Sequence, residues 1–157
     1  GIEHCNGKYI IMGDADDSYN FLELSLFIER LQAGYDMVMG NRFAGGITKG
    51  AMPWLHRYVG NPFLSSLGRF LFKNNIGDFH CGLRAFTKKC YNIINPQCNG
   101  MEFASELVAL ASIHQMRICE IPVTLYPDGR KRRPHLRSWR DGFRHMVLLY
   151  SLYLLRN

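Results

Sequence analysis

Three carboxylates stand directly behind an apolar run near the start of the sequence. Asp14, Asp16 and Asp17 follow the segment KYIIMG (8–13), which we predict to be a strand. Like charges this close repel each other and cost free energy unless a cation or hydrogen bonds compensate. Because only Ala15 separates the first two carboxylates, both can face one point. Mg²⁺ or Mn²⁺ prefers one or two carboxylates together with substrate phosphates, so the pattern indicates a site for a metal-held diphosphate.

Two other interpretations of this acidic cluster are open. The carboxylates could form a solvated loop, since negative charge is favourable at the N-terminus of a following helix. Alternatively, phosphohydrolases of the haloacid-dehalogenase type also carry D-x-D after a strand, with the first Asp as nucleophile. They require Thr or Val two residues after the second Asp and a later acidic pair. Ser18 is a poor substitute for that residue and no later acidic pair is present, which disfavours this class.

Composition sets the size and setting of the fold. With 157 residues, 47% of them hydrophobic, the chain can bury one core. Its five cysteines are odd in number and lack C-x-x-C spacing, which favours reduced thiols over a disulfide framework or a zinc site. The first residues lack the pattern of a signal peptide, and the sequence begins without Met. We therefore expect a piece of a longer protein.

Basic charge is concentrated at the C-terminus. Residues 130–157 contain eight of the 19 Arg and Lys but only one of the 13 Asp and Glu. A nucleic-acid-binding module is the main non-enzyme interpretation, but no aromatic residues are interleaved as a base-stacking platform. A basic stretch that leads into the apolar segment MVLLYSLYLL (146–155) is more typical of an element attracted to anionic lipids. That segment is about half the length needed to span a bilayer.

Hydrophobic periodicity predicts an α/β fold. The strand 8–13 is followed by a helix over 19–34 with Ser18 as N-cap, and then by a second strand around 35–43. This spacing predicts a buried parallel βαβ unit. In such sheets ligands gather at the carboxyl ends of strands, where Asp14–Asp17 and Gly40–Arg42 lie. The later predicted elements are helices over 57–75 and 100–115, a short strand and a helix from Lys88, a strand over 117–126, and a helix over the last 20 residues.

Five motifs occur in an order that resembles a known family. They are GDADDSY (13–19), GNRF (40–43), GDFHCGLRAF (77–86), GMEFASEL (100–107) and EIPVTLYPDGRKRRPHLRSWRDGFRHM (120–146). The chain is similar to family 2 glycosyltransferases that act on polyprenyl phosphates, the relatives of dolichol-phosphate mannose and glucose synthases. The resemblance implies an α/β GT-A fold whose N-terminal nucleotide-binding half is absent from these residues. It also implies a UDP- or GDP-sugar donor, a polyprenyl phosphate acceptor, Mg²⁺ or Mn²⁺, and a place at the cytoplasmic face of the membrane.

The resemblance also assigns roles to individual residues. Asp14 and Asp16 match the D-x-D that binds metal and donor diphosphate, and Asp16 is in addition a catalytic candidate. Arg42 matches a contact to the acceptor phosphate. Asp78 and Arg84 match an element beside the transfer site, which makes both catalytic candidates and Arg84 a substrate-binding candidate as well. The remaining substrate-binding candidates are Glu102, in an acidic helix, and Arg130 and Lys131, in a basic loop that closes over phosphates. On the residues alone, Arg42 and Arg84 are more simply explained as salt-bridge partners, and Glu102 as part of a solvated helix face.

The same resemblance suggests how the chain is organised. Residues 1–135 would be the C-terminal part of the catalytic domain, and residues 136–157 a basic and apolar juxtamembrane helix. The alternative within the family is a transferase with a different acceptor. A processive polysaccharide synthase is disfavoured because Q-x-x-R-W is missing, and RSWR (137–140) does not replace it.

Overall fold

A computed structural model of the protein describes residues 1–129 and 138–156. The strands are β1 (Tyr9–Met12), β2 (Met37–Asn41), β3 (Arg84–Thr87) and β4 (Ile118–Pro122). The α-helices are α1 (Leu24–Gln32), α2 (Arg42–Gly45), α3 (Asn61–Phe72), α4 (Lys88–Ile94), α5 (Phe103–Ile113) and α6 (Ser138–Arg156). Short 3₁₀ segments span Ile2–His4 and Phe21–Glu23, and a π-helical segment, His56–Gly60, leads into α3. The predicted α/β class and the four later helices are confirmed.

β3 lies inside the predicted βαβ unit. The four strands form one sheet in the order β1-β3-β2-β4, in which β3 runs antiparallel to both of its neighbours and only β2 and β4 pair in parallel. The predicted parallel direction of β1 and β2 is confirmed, but the two strands do not pair directly, because β3 separates them. The predicted burial of β1 is wrong, since Ile10 alone among its four residues is buried.

The reversed strand determines where the loops meet. Arg84, the first residue of β3, lies opposite Met12 near the end of β1 and opposite Met39 near the end of β2. The loop that precedes β3 therefore reaches the same edge of the sheet as the loops that follow β1, β2 and β4. This edge brings the acidic turn close to the segment of residues 77–84.

Local capping shifts the start of the first helix. The side-chain oxygen of Asn20 accepts a hydrogen bond from the N–H of Leu22 at 3.1 Å and opens the 3₁₀ turn that leads into α1. The predicted N-cap, Ser18, is instead buried, and its carbonyl accepts from the N–H of Tyr126 at 3.0 Å. At the other end, Gly34 takes a φ of 90°, a value that glycine adopts without strain.

Apolar side chains cover both faces of the sheet. One cluster includes Met37, Met39, Phe86, Leu107 and Val108, and the other includes Phe27, Leu31, Val38, Leu83 and Ala85. This alternation along β2 and β3 follows from the two-residue period of a strand. Both faces of the sheet thus pack against apolar side chains, and polar groups concentrate at the edge where the loops meet.

Helix α6 packs on the rest of the fold. Leu149 is completely buried in a cluster with Leu71 and Phe72 of α3 and Ala109 of α5. The side chain of Leu149 therefore belongs to the core, so this residue of the apolar segment 146–155 does not face a lipid surface. Over the described residues, no helix combines the length and apolar character that a bilayer crossing needs.

The approach of α3 to the loop before β3 gives a prediction. A Cβ on Gly68 would lie 2.5 Å from the ring of Phe79, whereas a Cβ on Gly60 would meet nothing closer than 3.7 Å. We expect Gly68→Ala to lower the free energy of unfolding by about 1–3 kcal/mol through overpacking. Gly60→Ala, the matched control in the preceding turn, should be neutral or slightly stabilising. Urea denaturation monitored by circular dichroism tests both, and equal stability of the two variants would contradict the packing.

Candidate active site

The acidic turn after β1 forms one wall of the candidate site. The Asp14 carboxylate lies against Gly82, where any Cβ would come within 1.9 Å of Oδ2, so only glycine permits this approach. Oδ1 of Asp16 accepts a hydrogen bond from the N–H of Ser18 at 3.1 Å, which orients that carboxylate. Asp17 has a φ of 62°, in the left-handed region that Asp and Asn tolerate better than most residues.

An open cleft of about 410 Å³ lies beside the turn, lined by residues 14–17, Phe21 and Gly129. The N–H of Gly129 donates to the carbonyl of Asp16 at 2.9 Å, so the chain just before the basic segment is fixed to the acidic turn. The predicted phosphate contacts Arg130 and Lys131 lie outside the described residues. The structure shows where the segment that contains them is attached to the acidic turn, at Gly129, one residue before Arg130.

Arg42 and Asp78 form a buried ion pair. The guanidinium donates from Nε to Oδ2 and from Nη2 to Oδ1, both at 2.7 Å, and the N–H of Arg42 adds a bond to Oδ2 at 3.1 Å. Asp78 is fully buried and Arg42 is 8% exposed. Burial opposes the ionisation of Asp78, but the hydrogen bonds and charge of Arg42 outweigh it and lower the carboxyl pKa. The structure thus gives Arg42 a different partner from the phosphate that the resemblance implies.

The loop Gly77–Gly82 that carries Asp78 is held from three other elements. Its backbone N–H groups donate to side chains that sequence reasoning did not select. The carboxylate of Glu120 in β4 accepts from the N–H groups of Gly77 and Asp78 at 2.9 Å each. The hydroxyl oxygen of Ser65 in α3 accepts from Phe79 at 3.2 Å, and that of Tyr19 accepts from Gly82 at 3.0 Å. An acid in an otherwise apolar strand was the available signal for Glu120.

Arg84 is a buried cation at the start of β3. It is 1% exposed, and burial lowers the pKa of its guanidinium. Nη1 donates to the carbonyl of Ala104 at 3.2 Å and Nη2 donates to the carbonyl of Cys81. These bonds join the loop to the first turn of α5. In this arrangement Arg84 supports the loop that precedes β3. The resemblance implies that this loop lies beside the transfer site.

Glu102 lies between α5 and α6. Its Oε1 pairs with Nη2 of Arg144 at 2.5 Å, and its side chain is 12% exposed. Glu102, the predicted substrate contact, thus links α5 to α6 through an ion pair. The neighbouring Glu106 is buried and accepts from the N–H groups of Gln97 and Cys98 at 2.9 and 2.8 Å, which gives it a structural role.

The donor set at the acidic turn suits a divalent ion shared with a ligand. Within residues 1–129 and 138–156, no group of three or more His, Cys, Asp or Glu side chains is placed to hold a metal by itself. Asp14 and Asp16 provide hard carboxylate oxygens next to an open cleft, and Mg²⁺ sites often use two carboxylates together with substrate phosphates. The residues present therefore fit a metal that a diphosphate helps to hold.

Comparisons with known proteins decide the family. The model of the family described as Glycosyl transferase family 2 matches residues 1–93. The chain belongs to this family. The low-salt glycan biosynthesis hexosyltransferase Agl6 of Haloferax volcanii is 39% identical over 145 residues, which are 92% of this chain and 35% of that protein. A dolichyl-phosphate hexose transferase of the same organism is 32% identical over 73% of this chain and 48% of its own length.

A third relative is the polyprenol monophosphomannose synthase of Mycolicibacterium smegmatis, 30% identical over 71% of this chain and 43% of its own length. The resemblance to polyprenyl-phosphate glycosyltransferases is thereby confirmed. The chain spans about a third to a half of these relatives.

Solved structures confirm the GT-A fold. Glucosyl-3-phosphoglycerate synthase from Mycobacterium tuberculosis, in complex with Mn²⁺, UDP-glucose and phosphoglyceric acid, superposes with a TM-score of 0.71 at 14% identity. The superposition covers 97% of this chain and 52% of that one. The same enzyme has also been crystallised with Mg²⁺ and UDP. At this identity the likeness concerns the fold.

The buried ion pair gives a prediction for stability. We expect Asp78→Asn to lower the free energy of unfolding by about 3–5 kcal/mol, because it leaves the buried Arg42 charge uncompensated. The double variant Arg42→Met with Asp78→Asn should cost less than the sum of its two single changes, because each single change leaves one partner unpaired. Denaturant titration of the four proteins in the cycle measures the coupling. Additive losses would contradict a direct ion pair.

Proposed function

We propose that the chain is part of a glycosyltransferase that moves a sugar from a UDP- or GDP-sugar to polyprenyl phosphate with the help of Mg²⁺ or Mn²⁺. The observation that carries the proposal is the bond from the N–H of Gly129 to the carbonyl of Asp16, at 2.9 Å. It joins a turn rich in carboxylates to the residue that immediately precedes a basic segment. A metal-bound diphosphate requires both kinds of group, carboxylates for the ion and cations for the phosphate oxygens.

The proposed roles begin with the donor. Asp14 and Asp16 would hold the metal, and Arg130 and Lys131, which follow the attachment point at Gly129, would bind the donor phosphates. When bound, the metal would neutralise the negative charge that develops on the leaving nucleoside diphosphate. Family relatives named for dolichyl-phosphate and polyprenol substrates, and the fold shared with a synthase crystallised with UDP-glucose, support this assignment.

The acceptor needs position rather than activation. A phosphate monoester is already ionised at pH 7, so its oxygen can attack the anomeric carbon without a general base. In one in-line displacement, a new carbon–oxygen bond forms as the bond to the diphosphate oxygen breaks, and the configuration inverts. The ion pair of Arg42 with Asp78, and the bonds of Arg84 to two carbonyls, would hold the loop Gly77–Gly82 on the acceptor side. In this proposal both arginines act on the acceptor chiefly by organising that loop.

A lipid acceptor requires the enzyme to work at a membrane, and two exposed surfaces support this. On α6, Phe143, Val147, Tyr150 and Leu154 are all 48–63% exposed and recur at helical spacing. On the segment 54–70, the exposed large apolar side chains are Trp54, Leu55, Tyr58, Val59, Phe63 and Phe70. No acidic residue occurs between residues 37 and 77, which hold five Arg and Lys. Exposed aromatic residues beside basic ones are typical of helices that lie at the surface of an anionic membrane.

The role of the acidic turn can be tested with two neighbouring carboxylates. In the full-length protein, we expect Asp16→Asn to lower sugar transfer by on the order of 100-fold or more, because it removes a charged metal ligand. Asp17→Asn is the matched control, since Asn also accepts a positive φ, and it should keep most of the activity. Transfer of labelled sugar to polyprenyl phosphate, with and without EDTA, measures both. Full activity of the Asp16 variant in EDTA would exclude the metal role, and transfer only to a different acceptor would favour the other branch of the family.

Membrane attachment gives a second prediction. We expect the protein to bind vesicles more strongly as the anionic lipid content rises and less strongly as salt rises, because basic residues contribute about 1 kcal/mol each near such a surface. Replacing Phe143 and Tyr150 together by Ser should weaken binding by about tenfold through lost apolar burial. Leu22→Ser, which changes a residue 90% exposed far from these surfaces in sequence, is the control. Co-sedimentation measures binding, and equal affinity for neutral vesicles, or effective competition by DNA, would contradict this attachment.

A further inference from the structure

Three side chains from the loop Gly77–Gly82, α5 and α6 form a hydrogen-bonded chain that the proposed reaction does not use. The hydroxyl oxygen of Ser105 lies 3.0 Å from Nε2 of His80 and 2.7 Å from Nδ1 of His145. Ser105 is fully buried and His145 is 5% exposed. The two imidazole rings meet edge to face with their centroids 4.8 Å apart. The chain therefore connects α6 to the loop through one hydroxyl group on α5.

The protonation of this chain follows from its surroundings. Burial lowers the pKa of both imidazoles, that of His80 to about 3, so both are neutral at pH 7. Nδ1 of His80 is shielded from water and has no hydrogen-bond partner among the described residues. An orphaned buried N–H is rarer than an under-satisfied acceptor, which places the His80 proton on Nε2. Nε2–H then donates to Ser105, and the Ser105 hydroxyl donates to Nδ1 of His145.

The hydrogen-bonded chain of His80, Ser105 and His145 is fixed at its two ends to different parts of the molecule. At one end, the backbone N–H of His80 donates to Oδ1 of Asp78 at 3.3 Å. The same carboxylate binds Arg42. At the other end, His145 belongs to α6, the helix that follows the basic segment. A change in how α6 packs would thus reach the loop through directional bonds as well as through apolar contact.

We propose that His145 is a positioning residue for the active-site loop, holding Gly77–Gly82 in place through Ser105 and His80. The loop carries Asp78, and its Gly82 forms the surface against which the Asp14 carboxylate lies. Docking of α6 is then a condition for a complete site. The catalytic meaning of this role rests on the proposed function, whereas the coupling between α6 and the loop does not. If α6 lies on a membrane, its attachment there would also keep the acceptor side formed.

Hydrogen exchange separates this role from a simple tie between helices. In Ser105→Ala, we expect backbone amides to exchange about tenfold faster in α6 and also in the loop, the effect of losing about 1.4 kcal/mol of buried hydrogen bonding. Amides of α1 should be unchanged. The matched control is Arg144→Gln, which removes the ion pair with Glu102 between the same two helices but leaves the hydroxyl chain intact. It should accelerate exchange in α6 alone.

Two variants of His145 keep the test decisive if Ser105→Ala does not fold. His145→Asn retains an acceptor near the position of Nδ1 and should protect the loop almost as well as the native residue. His145→Leu retains bulk without the acceptor and should release the loop about tenfold. Faster exchange confined to α6 in Ser105→Ala, or equal loop exchange in the two His145 variants, would overturn the proposal.

Kinetics of the full-length protein connect the coupling to the reaction. We expect Ser105→Ala to raise the apparent acceptor KM or lower kcat by about tenfold, with the donor KM within twofold of native, because the loop lies on the acceptor side. A raised donor KM with an unchanged acceptor KM would count against positioning of this loop. Absence of transfer to polyprenyl phosphate in every protein, native included, would overturn the proposed function. The exchange result would then still decide the coupling.

Discussion

A guanidinium and a carboxylate that leave water together are stable only if nearly all their hydrogen-bonding atoms find partners. Arg42 and Asp78 meet this condition, since Asp78 accepts from three nitrogens of Arg42 and from the N–H of His80. The pair joins the end of β2 to the loop Gly77–Gly82. Side chains of β4 and α3 accept further hydrogen bonds from the backbone of the same loop, and α6 reaches the loop through Ser105 and His80. Specific geometry, more than net stability, is what such a buried pair contributes.

The site therefore has two electrostatic environments. The carboxylates of Asp14 and Asp17 are exposed to solvent at the cleft, where hydration and an arriving cation can compensate their repulsion. Asp78 is sealed and carries its own counter-ion. Because of this difference, the acidic turn is suited to bind charged ligands, and the loop 77–82 behind it is suited to stay rigid. The approach of Asp14 to Gly82 brings the two environments into contact, at a point where no side chain would fit.

Much of this arrangement could be predicted from the sequence, because it depends on local patterns. The helical period located α3, α5 and α6, and the acidic residues after an apolar run indicated a site at the end of a strand. The position of β3 between β1 and β2 could not be predicted, since pairing partners are set by packing between distant segments. The same reason hid the partner of Arg42, which lies 36 residues away. The pairing of Glu102 with Arg144 was hidden in the same way, because α6 could not be placed beside α5 from the sequence.

The reversal of β3 also has a consequence for folding. Several bonds that close the site join distant parts of the chain: Gly82 to Tyr19 across 63 residues, and Asp78 to Glu120 across 42. Such contacts form only after a large loss of chain entropy, which slows folding and delays the regions that depend on them. Helices α3 and α5 can begin to form from neighbouring residues alone, whereas two N–H groups of the loop 77–82 gain their partner, Glu120, only when β4 joins the sheet. We therefore expect a partly folded chain to be helical before the candidate site is assembled.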